Sequence, residues 1–548
     1  METYNIASSF FEMAKSQPDA LAIAIPEKNG FDKNGFADYK KVSFKELAFE
    51  IECVAKGLLA AGFDKGDRVV MMVPPGFDFL ILSFSMLQTG IVPVFIDPGI
   101  GLKNLKSCIA ESEPVGFIGI SKAHVARVLL GWGKKTIHKT VTIGPRLFWR
   151  GKKMQSIRKF DRTSKQGLFF DAGSDDIAAV IFTSGSTGLP KGVVYSHCNF
   201  YSQLKMIRDS FDFIPGEIDM PTFPPYALFN AALGVSSIIP DMDSTKPAFV
   251  NPLNIINPIK QFGITNMFGS PALIDTVGRY GEANGIKLPT LKRVISSGAP
   301  ASTKALMRFS SMLKPETEIL TPYGATESMP VTIIGSHQIL NETQEKTENG
   351  FGVCIGKPVN NIEVSIIRIS DEEISNWSEE LKVTQGEIGE IVVKGQNVTR
   401  SYYNREAATR LAKIQDGNEV CHRMGDLGYF DAEGNLWFCG RKAHRVRIGE
   451  KELYSIQCEY IFNKHPDVFR TALVGVNGKA VLCVEAEKND KPIDELKLKK
   501  GLLEMAAAHP LTMDIDTILF HPGFPVDIRH NAKIIRENLA VWAKNKLV

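Results

Sequence analysis

The stretch AAVIFTSGSTGLPKG, residues 178–192, decides how the chain reads. AAVIF is a short apolar run of strand character, and the residues after it combine three glycines, several hydroxyls and one lysine. Such a loop suits phosphate: glycines let backbone N–H groups approach closely, hydroxyls donate, and Lys191 brings positive charge. Thr183, Ser184, Gly185, Ser186, Thr187, Gly188 and Lys191 are therefore the expected phosphate-binding residues. The spacing is not that of a Walker A loop, because Lys191 is followed by Gly192 rather than by serine or threonine.

Outward from this loop, short apolar runs alternate with amphipathic segments. Strands are expected at 67–75, 91–97, 116–120, 266–270 and 293–298, with a helix over 77–87 between the first two. Continuous apolar strands separated by helices argue for mostly parallel α/β layers. From about residue 350 the pattern changes to alternating runs with Asp/Gly turns, at 386–395 and 426–440, which predicts antiparallel hairpins. Beyond Arg441 come further strands, TALVGV and VLCVEA, with helices and a lysine-rich surface. A domain boundary is expected there.

With 548 residues, 44% hydrophobic and 23% charged, the chain has globular proportions. Dominant disorder, collagen-like repeats and coiled coil are excluded. A net charge of +3 gives no support for nucleic-acid binding. The eight cysteines form no C-x-x-C pair and the ten histidines no H-E-x-x-H, so neither a zinc site nor a disulfide framework is expected. The first residues lack a basic region followed by an apolar core and do not read as a signal peptide. The most apolar stretch, 79–96, is interrupted by Ser83, Ser85, Gln88, Thr89, Gly90 and Pro93. A buried helix followed by a strand explains it better than a membrane span does. A reduced, cytoplasmic protein is expected.

The charge is unevenly spread. Residues 146–165 hold eight lysines and arginines against one acid, Asp161, with Phe148, Trp149, Ile157 and Phe160 interleaved. Two readings stay open: a solvated loop between domains, or a contact with an anionic membrane or a partner protein.

The loop at 183–192 resembles the phosphate loop of the AMP-forming adenylating superfamily, which includes acyl-CoA synthetases, peptide-synthetase adenylation domains and luciferases. Further strings resemble that superfamily's signatures in the same order. SSGAP (296–300) is similar to the segment beside adenine, and TPYGATES (321–328) to the adenine-stacking and metal-binding motif. RMGDLGYFD (423–431) resembles the ribose motif, GRKAHRV (440–446) the interdomain hinge, and NAKIIRENL (531–539) the segment with the C-terminal lysine. Within the superfamily, TFPPYALFNAALGVSSIIPDMD (222–243), GYFDAEGNLWFCGRK (428–442), HPGFPVDIRHNAK (521–533) and FIGISKAHVARVLLGW (117–132) resemble the olefin β-lactone synthetases, which work on long-chain β-hydroxy fatty acids. The likeness spans essentially the whole chain. It implies an α/β fold with a large N-terminal region, residues 1–439, of two α/β subdomains plus a small β-barrel. A small mobile α+β domain, residues 440–548, would close over ATP.

The resemblance also implies ATP and Mg²⁺ as cofactors and a set of roles. Carboxylate attack on the α-phosphate brings two anions together, so positioned cations and donors are needed. Lys533 would be the central cation, touching both carboxylate and α-phosphate, with Thr326 donating to that phosphate. Glu327 would supply a hard oxygen to Mg²⁺. Tyr323 and Gly324, with Gly298, Ala299 and Pro300, would frame adenine; Asp426 would accept the ribose hydroxyls, and Arg441 would hold ribose or phosphate from the hinge. In PPYALFNAALG (224–234), Tyr226 and Phe229, with Leu228 and Leu233, either line an acyl tunnel or pack the core. His197, just after the loop, is either structural or a base.

Two departures from the superfamily pattern bear on the second step. Ala443 stands two residues after the hinge arginine, where Asp or Lys is usual. The ninth residue after Arg441 is Glu450, where CoA users carry a glycine; Gly449 lies one place earlier. A glutamate there would obstruct a narrow channel and repel CoA phosphates, so CoA is not expected. A β-hydroxyl on the acyl chain itself is then pre-placed for attack. The expected reaction is ATP plus a long-chain β-hydroxy acid giving a β-lactone, AMP and pyrophosphate. The rivals are a long-chain acyl-CoA synthetase or acyl-adenylate ligase, and a scaffold without chemistry, which the intact set Lys191, Glu327, Asp426, Arg441 and Lys533 disfavours. Pathway partners implied by the resemblance are a thiolase-like condensing enzyme, a reductase and a β-lactone decarboxylase.

Overall fold

Residues 4–31, 36–159, 169–183, 190–487, 493–526 and 533–547 are described in the computed structural model of the protein. One sheet runs Lys152–Lys153, Lys139–Ile143, Gly116–Ile120, Arg68–Met72, Val92–Ile96, Ile177–Thr183, Lys191–Ser196 in spatial order. Its neighbours are parallel except the last pair, which is antiparallel. A second sheet has six parallel strands at its centre: Glu318–Ala325, Arg293–Ile295, Asn266–Phe268, Ile218–Pro221, Ser236–Ile238 and Leu21–Phe31. Antiparallel strands close both of its sides.

The continuous apolar strands are explained by burial on both faces. Val69 and Met71 enter the core between the two sheets, while Val70 and Met72 enter a core on the far side. In the second sheet Ile23, Phe268 and Ile295 face the shared core and Ala24, Met267 and Val294 the outer one. Helices fill the shared layer, contributing Phe10, Leu47, Phe84, Leu204 and Phe229. The helix Phe77–Thr89 is buried from Phe79 onward and ends at Gly90 in left-handed geometry, φ 74°. Its buried hydroxyls are satisfied: Ser83 Oγ donates to the Phe79 carbonyl at 2.7 Å, Ser85 Oγ to the Ile51 carbonyl at 2.9 Å and Thr89 Oγ1 to the Ser85 carbonyl at 2.8 Å. The strand Val92–Ile96 follows it, as the interrupted stretch 79–96 implied. No helix among the described residues is long and apolar enough to cross a membrane.

The expected hairpins are present in an antiparallel sheet of six strands, including Ile362–Ile367, Gly389–Gly395, Glu419–Phe430 and Leu436–Arg441. The barrel expectation is corrected here, because this sheet is open among the described residues: its edge strands Val353–Cys354 and Ile362–Ile367 do not pair with each other. The chain leaves the first of these edges to add Lys357–Pro358 to the large parallel sheet, so the closing strand is spent elsewhere.

After Arg441 the chain forms a hairpin, Val446–Ile448 with Lys451–Leu453, and a sheet of Val468–Val476, Lys479–Ala486 and Thr517–Phe520. Two core clusters draw only on this part, one around Phe462 and Leu482, the other around Val474 and Leu539. Hydrogen bonds tie it to what precedes: Lys442 Nζ to Glu390 Oε2 at 3.1 Å, Arg445 Nη2 to Asp371 at 3.0 Å, and Gln457 Nε2 to the Gly350 carbonyl at 2.9 Å.

Candidate active site

The segments 296–300 and 321–328 both emerge at the carboxyl ends of parallel strands, where open α/β sheets bind ligands. Strands Glu318–Ala325 and Ser328–Gly335 pair antiparallel with Ala325 opposite Ser328, so Thr326 and Glu327 form the tip of a tight hairpin. A side chain at Gly324 would place its Cβ 2.7 Å from the Ser328 carbonyl oxygen, which makes glycine obligatory beside the turn. The tip is held from three directions. Tyr195 Oη donates to the Thr326 carbonyl at 2.5 Å, Thr399 N to the Glu327 carbonyl at 2.9 Å, and Tyr402 Oη to Glu327 Oε1 at 2.6 Å.

The expected phosphate loop joins the antiparallel pair Ile177–Thr183 and Lys191–Ser196, with Thr183 directly opposite Lys191. The expected residues Ser184, Gly185, Ser186, Thr187 and Gly188 lie outside the described residues. Lys191 Nζ sits 4.9 Å from the centre of the Tyr402 ring, whose hydroxyl holds Glu327. One tyrosine thus bridges the lysine of the loop and the carboxylate of the hairpin.

Asp426 and Arg441 are cross-strand partners, and the buried Asp426 carboxylate lies 3.1 Å from Arg441 Nε. Tyr323 Oη donates to its other oxygen at 2.6 Å. Burial raises the Asp426 pKa, while Arg441, the Tyr323 hydroxyl and the charge of Lys533 pull it down. Lys533, exposed and next to Ile534 in a bridge to Val526, is therefore within electrostatic reach of Asp426. Burial and the neighbouring Asp426 carboxylate drive the Tyr323 pKa far upward, so the phenol stays protonated. Among the described residues, buried hydroxyls with no hydrogen-bond partner gather near these strands and their ends: Ser296 Oγ, Thr321 Oγ1 and Ser328 Oγ. Buried groups of this kind call for a polar ligand or ordered water.

Gly298, at φ 99°, and Pro300 are exposed, and Ala299 is half-buried. Ser297 before them is buried and hydrogen-bonded to the Tyr226 hydroxyl. Tyr226 stacks on Phe268 with ring centres 4.3 Å apart and planes at 20°. Tyr226 therefore reaches the segment expected to lie beside adenine. Leu228, Phe229 and Leu233 belong to the core between the sheets, with Phe229 tilted against Phe200 at 6.3 Å. His197 is buried against Phe170, and burial lowers its pKa to about 4. Gly449, at φ 58°, and Glu450 are both exposed at the tip of the hairpin after the hinge.

Three supporting residues escaped the sequence reading. Tyr402 and Thr399 lie in NVTRSYY, where nothing local marks them. Lys413 is buried with its ammonium bonded to the Thr399 carbonyl, and the Thr399 hydroxyl donates to the Glu327 carbonyl at 3.2 Å. Burial lowers the Lys413 pKa from 10.5 to about 7, with the Glu327 charge opposing that fall. Between those values the folded chain binds fewer protons at this site than the unfolded chain, so folding stability rises with pH across that window. Below it both states carry the charge and the cost of burying it is complete. Thermal melts across this range should show a shallower rise for Lys413→Met than for the parent; equal slopes would contradict the buried-lysine assignment.

The family model for AMP-binding enzymes matches residues 10–403. The chain belongs to the AMP-binding enzyme family. Two curated relatives, olefin beta-lactone synthetases from Xanthomonas campestris pv. campestris and Stenotrophomonas maltophilia, are 45% and 44% identical to it, each over 99% of this chain and 98% of their own. Among solved structures, the amide bond synthetase McbA from Marinactinospora thermotolerans superposes with a TM-score of 0.78 at 18% identity, covering 98% of this chain and 99% of the other. The O-succinylbenzoate Coenzyme A synthetase of Bacillus subtilis, in complex with AMP, gives 0.75 at 17% identity, covering 97% of both. These last two share the fold. The loop end at Lys191 and the hairpin tip at Glu327 fall inside the matched family segment; Asp426, Arg441 and Lys533 lie beyond it.

Proposed function

We propose that the chain adenylates a long-chain β-hydroxy fatty acid with ATP and closes the acyl adenylate to a β-lactone. The observation that carries this is the 45% identity, over 99% of the chain, to a relative named for β-lactone synthesis. The acyl-CoA ligase alternative rests on far lower identity, 27% over 60% of the chain for the Thermus thermophilus long-chain enzyme.

In the first step a carboxylate oxygen bonds to the α-phosphorus and the bond to pyrophosphate breaks. Lys533 neutralises the converging anions, and Thr326 donates to the α-phosphate. Lys191 holds the outer phosphates, Asp426 accepts from the ribose hydroxyls, and Tyr323 presents its ring to adenine. Mg²⁺ would be held by Glu327 together with phosphate oxygens and water, and would offset phosphate charge. The fit is supported by a single hard carboxylate fixed by Tyr402 and bordered by cations. In the second step the β-hydroxyl oxygen bonds to the acyl carbon, the bond to AMP breaks, and the hydroxyl proton leaves to a base or water. Tethering the nucleophile to the acyl group favours this attack, and adenylate activation offsets ring strain. CoA takes no part; Glu450 and the displaced Gly449 support that reading.

Residues 1–439 act as the adenylating body and 440–548 as a lid that carries Lys533. The two core clusters confined to residues beyond 445 support this division. Downstream, a β-lactone decarboxylase would consume the product, and a thiolase-like enzyme and a reductase would supply the acid; the protein works in the cytoplasm beside them. The test is extraction of products after incubation with ATP, Mg²⁺ and a long-chain β-hydroxy acid in the absence of CoA: a β-lactone is expected, and release of an acyl product only once CoA is added would overturn the reading.

A further inference from the structure

Between Pro114 and Phe160 the chain carries eleven lysines and arginines and no aspartate or glutamate. This stretch builds the free edge of the seven-stranded sheet, opposite the edge that bears the phosphate loop. Two of these cations are ion-paired with acids from elsewhere: Lys139 with Asp67 at 2.6 Å, and Arg158 with Glu50 at 3.3 Å. Lys134, Lys135, Arg146, Arg150, Lys152 and Lys153 are exposed, and among the described residues none of them forms an ion pair.

Large apolar side chains protrude among these charges. Leu129 is 74% exposed, Leu147 59% and Phe148 67%, whereas the adjacent Trp149 is only 6% exposed. Trp149 is the anchor: it stacks on His124 with ring centres 5.2 Å apart and planes at 6°, and its indole N–H donates to Thr142 Oγ1 at 2.8 Å. The loop is pinned further by Ser121 Oγ to the Pro145 carbonyl at 2.5 Å and Thr140 Oγ1 to the Arg150 carbonyl at 2.6 Å. Phe148 packs edge-on against Trp149 at 5.3 Å. Val128, 39% exposed, lies one turn beyond His124 on the helix Ser121–Leu130 and so borders the same loop. A fixed loop thus pushes Leu147 and Phe148 outward instead of folding them into the core.

We infer that this edge docks the protein on an anionic lipid surface, with Phe148 and Leu147 entering the headgroup boundary and the surrounding cations facing lipid phosphates. Charge complementarity names the occupant: a segment free of acids, with six exposed cations that form no ion pair among the described residues, fits a continuous sheet of negative charge. Projecting apolar side chains set in a basic field are the arrangement that inserts shallowly into a bilayer, whereas a protein partner's anchors need pockets to enter. The inference stands apart from the reaction above, since vesicle binding is read whether or not a lactone forms.

The test uses the full chain with sedimentable vesicles of phosphatidylcholine alone and of phosphatidylcholine mixed with phosphatidylglycerol. Binding is expected only to the mixed vesicles, and to fall as salt rises. Each cation removed should weaken it about fivefold, so a variant combining Arg150→Ser, Lys152→Ser and Lys153→Ser should lose on the order of 10²-fold. Phe148→Ser should weaken binding while leaving salt sensitivity intact. AMP release from a short soluble acid, unchanged in both variants, shows that they are folded. Equal binding to both vesicle types, no binding to either, or undiminished binding by the triple variant would overturn the proposal. So would loss, in that variant, of an acidic protein partner without any vesicle binding by the parent.

Discussion

Lys533→Ala is expected to slow acyl-adenylate formation by roughly 10² to 10⁴, the loss of ~3–5 kcal/mol of charge stabilisation at the reacting phosphate. Lys533 lies within electrostatic reach of the buried Asp426, the residue proposed to accept the ribose hydroxyls. Asp426 itself is already engaged by Arg441 at 3.1 Å and Tyr323 at 2.6 Å, so Lys533 is not needed to hold the nucleoside. The defect should therefore fall on kcat, with ATP affinity little changed. Pyrophosphate release in single-turnover experiments, together with a direct ATP-binding titration, separates the two. Unchanged turnover would remove Lys533 from the mechanism, and a matching loss of ATP affinity would make it a binding residue only.

Asp426→Ala should reduce kcat/KM for ATP by roughly 10² or more, since hydrogen bonds to a charged group are worth about 1.5–3 kcal/mol each. The substitution also strips Arg441 and Tyr323 of their shared partner, so Asp426→Asn, which keeps the shape and the Tyr323 contact, serves as the companion. The decisive readout is discrimination: the parent should prefer ATP strongly over its 2′- and 3′-deoxy analogues, and Asp426→Ala should use all three alike. Retained discrimination in that variant would show that the ribose is read elsewhere.

Thr326, Glu327, Gly324, Asp426 and Arg441 were singled out in the sequence because their strings resemble the superfamily's motifs. The hairpin that presents Thr326 and Glu327, and the pairing of Asp426 with Arg441 across two strands, appear only in the fold. The alternation of Val69, Val70, Met71 and Met72 between two cores follows from an unbroken apolar run. Contacts made across the fold were hidden. Tyr402 lies 75 residues from Glu327, and Lys413 reaches that hairpin only through Thr399. A lysine following LA in sequence carries no mark of burial. Phe229 illustrates a different limit: an aromatic that lines a tunnel and one that packs a core have the same composition, and only the contact with Phe200 places it in the core. Closure of the small antiparallel sheet was equally out of reach, because it depends on where the chain takes Lys357–Pro358 after leaving the edge.

In the proposed reaction an internal nucleophile does what an external thiol does in CoA ligases. The direct measurement is mass-spectrometric identification of the extracted product after incubation with ATP, Mg²⁺ and a long-chain β-hydroxy acid, with and without CoA, alongside the same acid lacking its β-hydroxyl. The expected result is a β-lactone, formed at the same rate whether or not CoA is present, and for the plain acid an adenylate that stays bound after about one turnover. A CoA thioester, formed from both acids and absent without CoA, would contradict it.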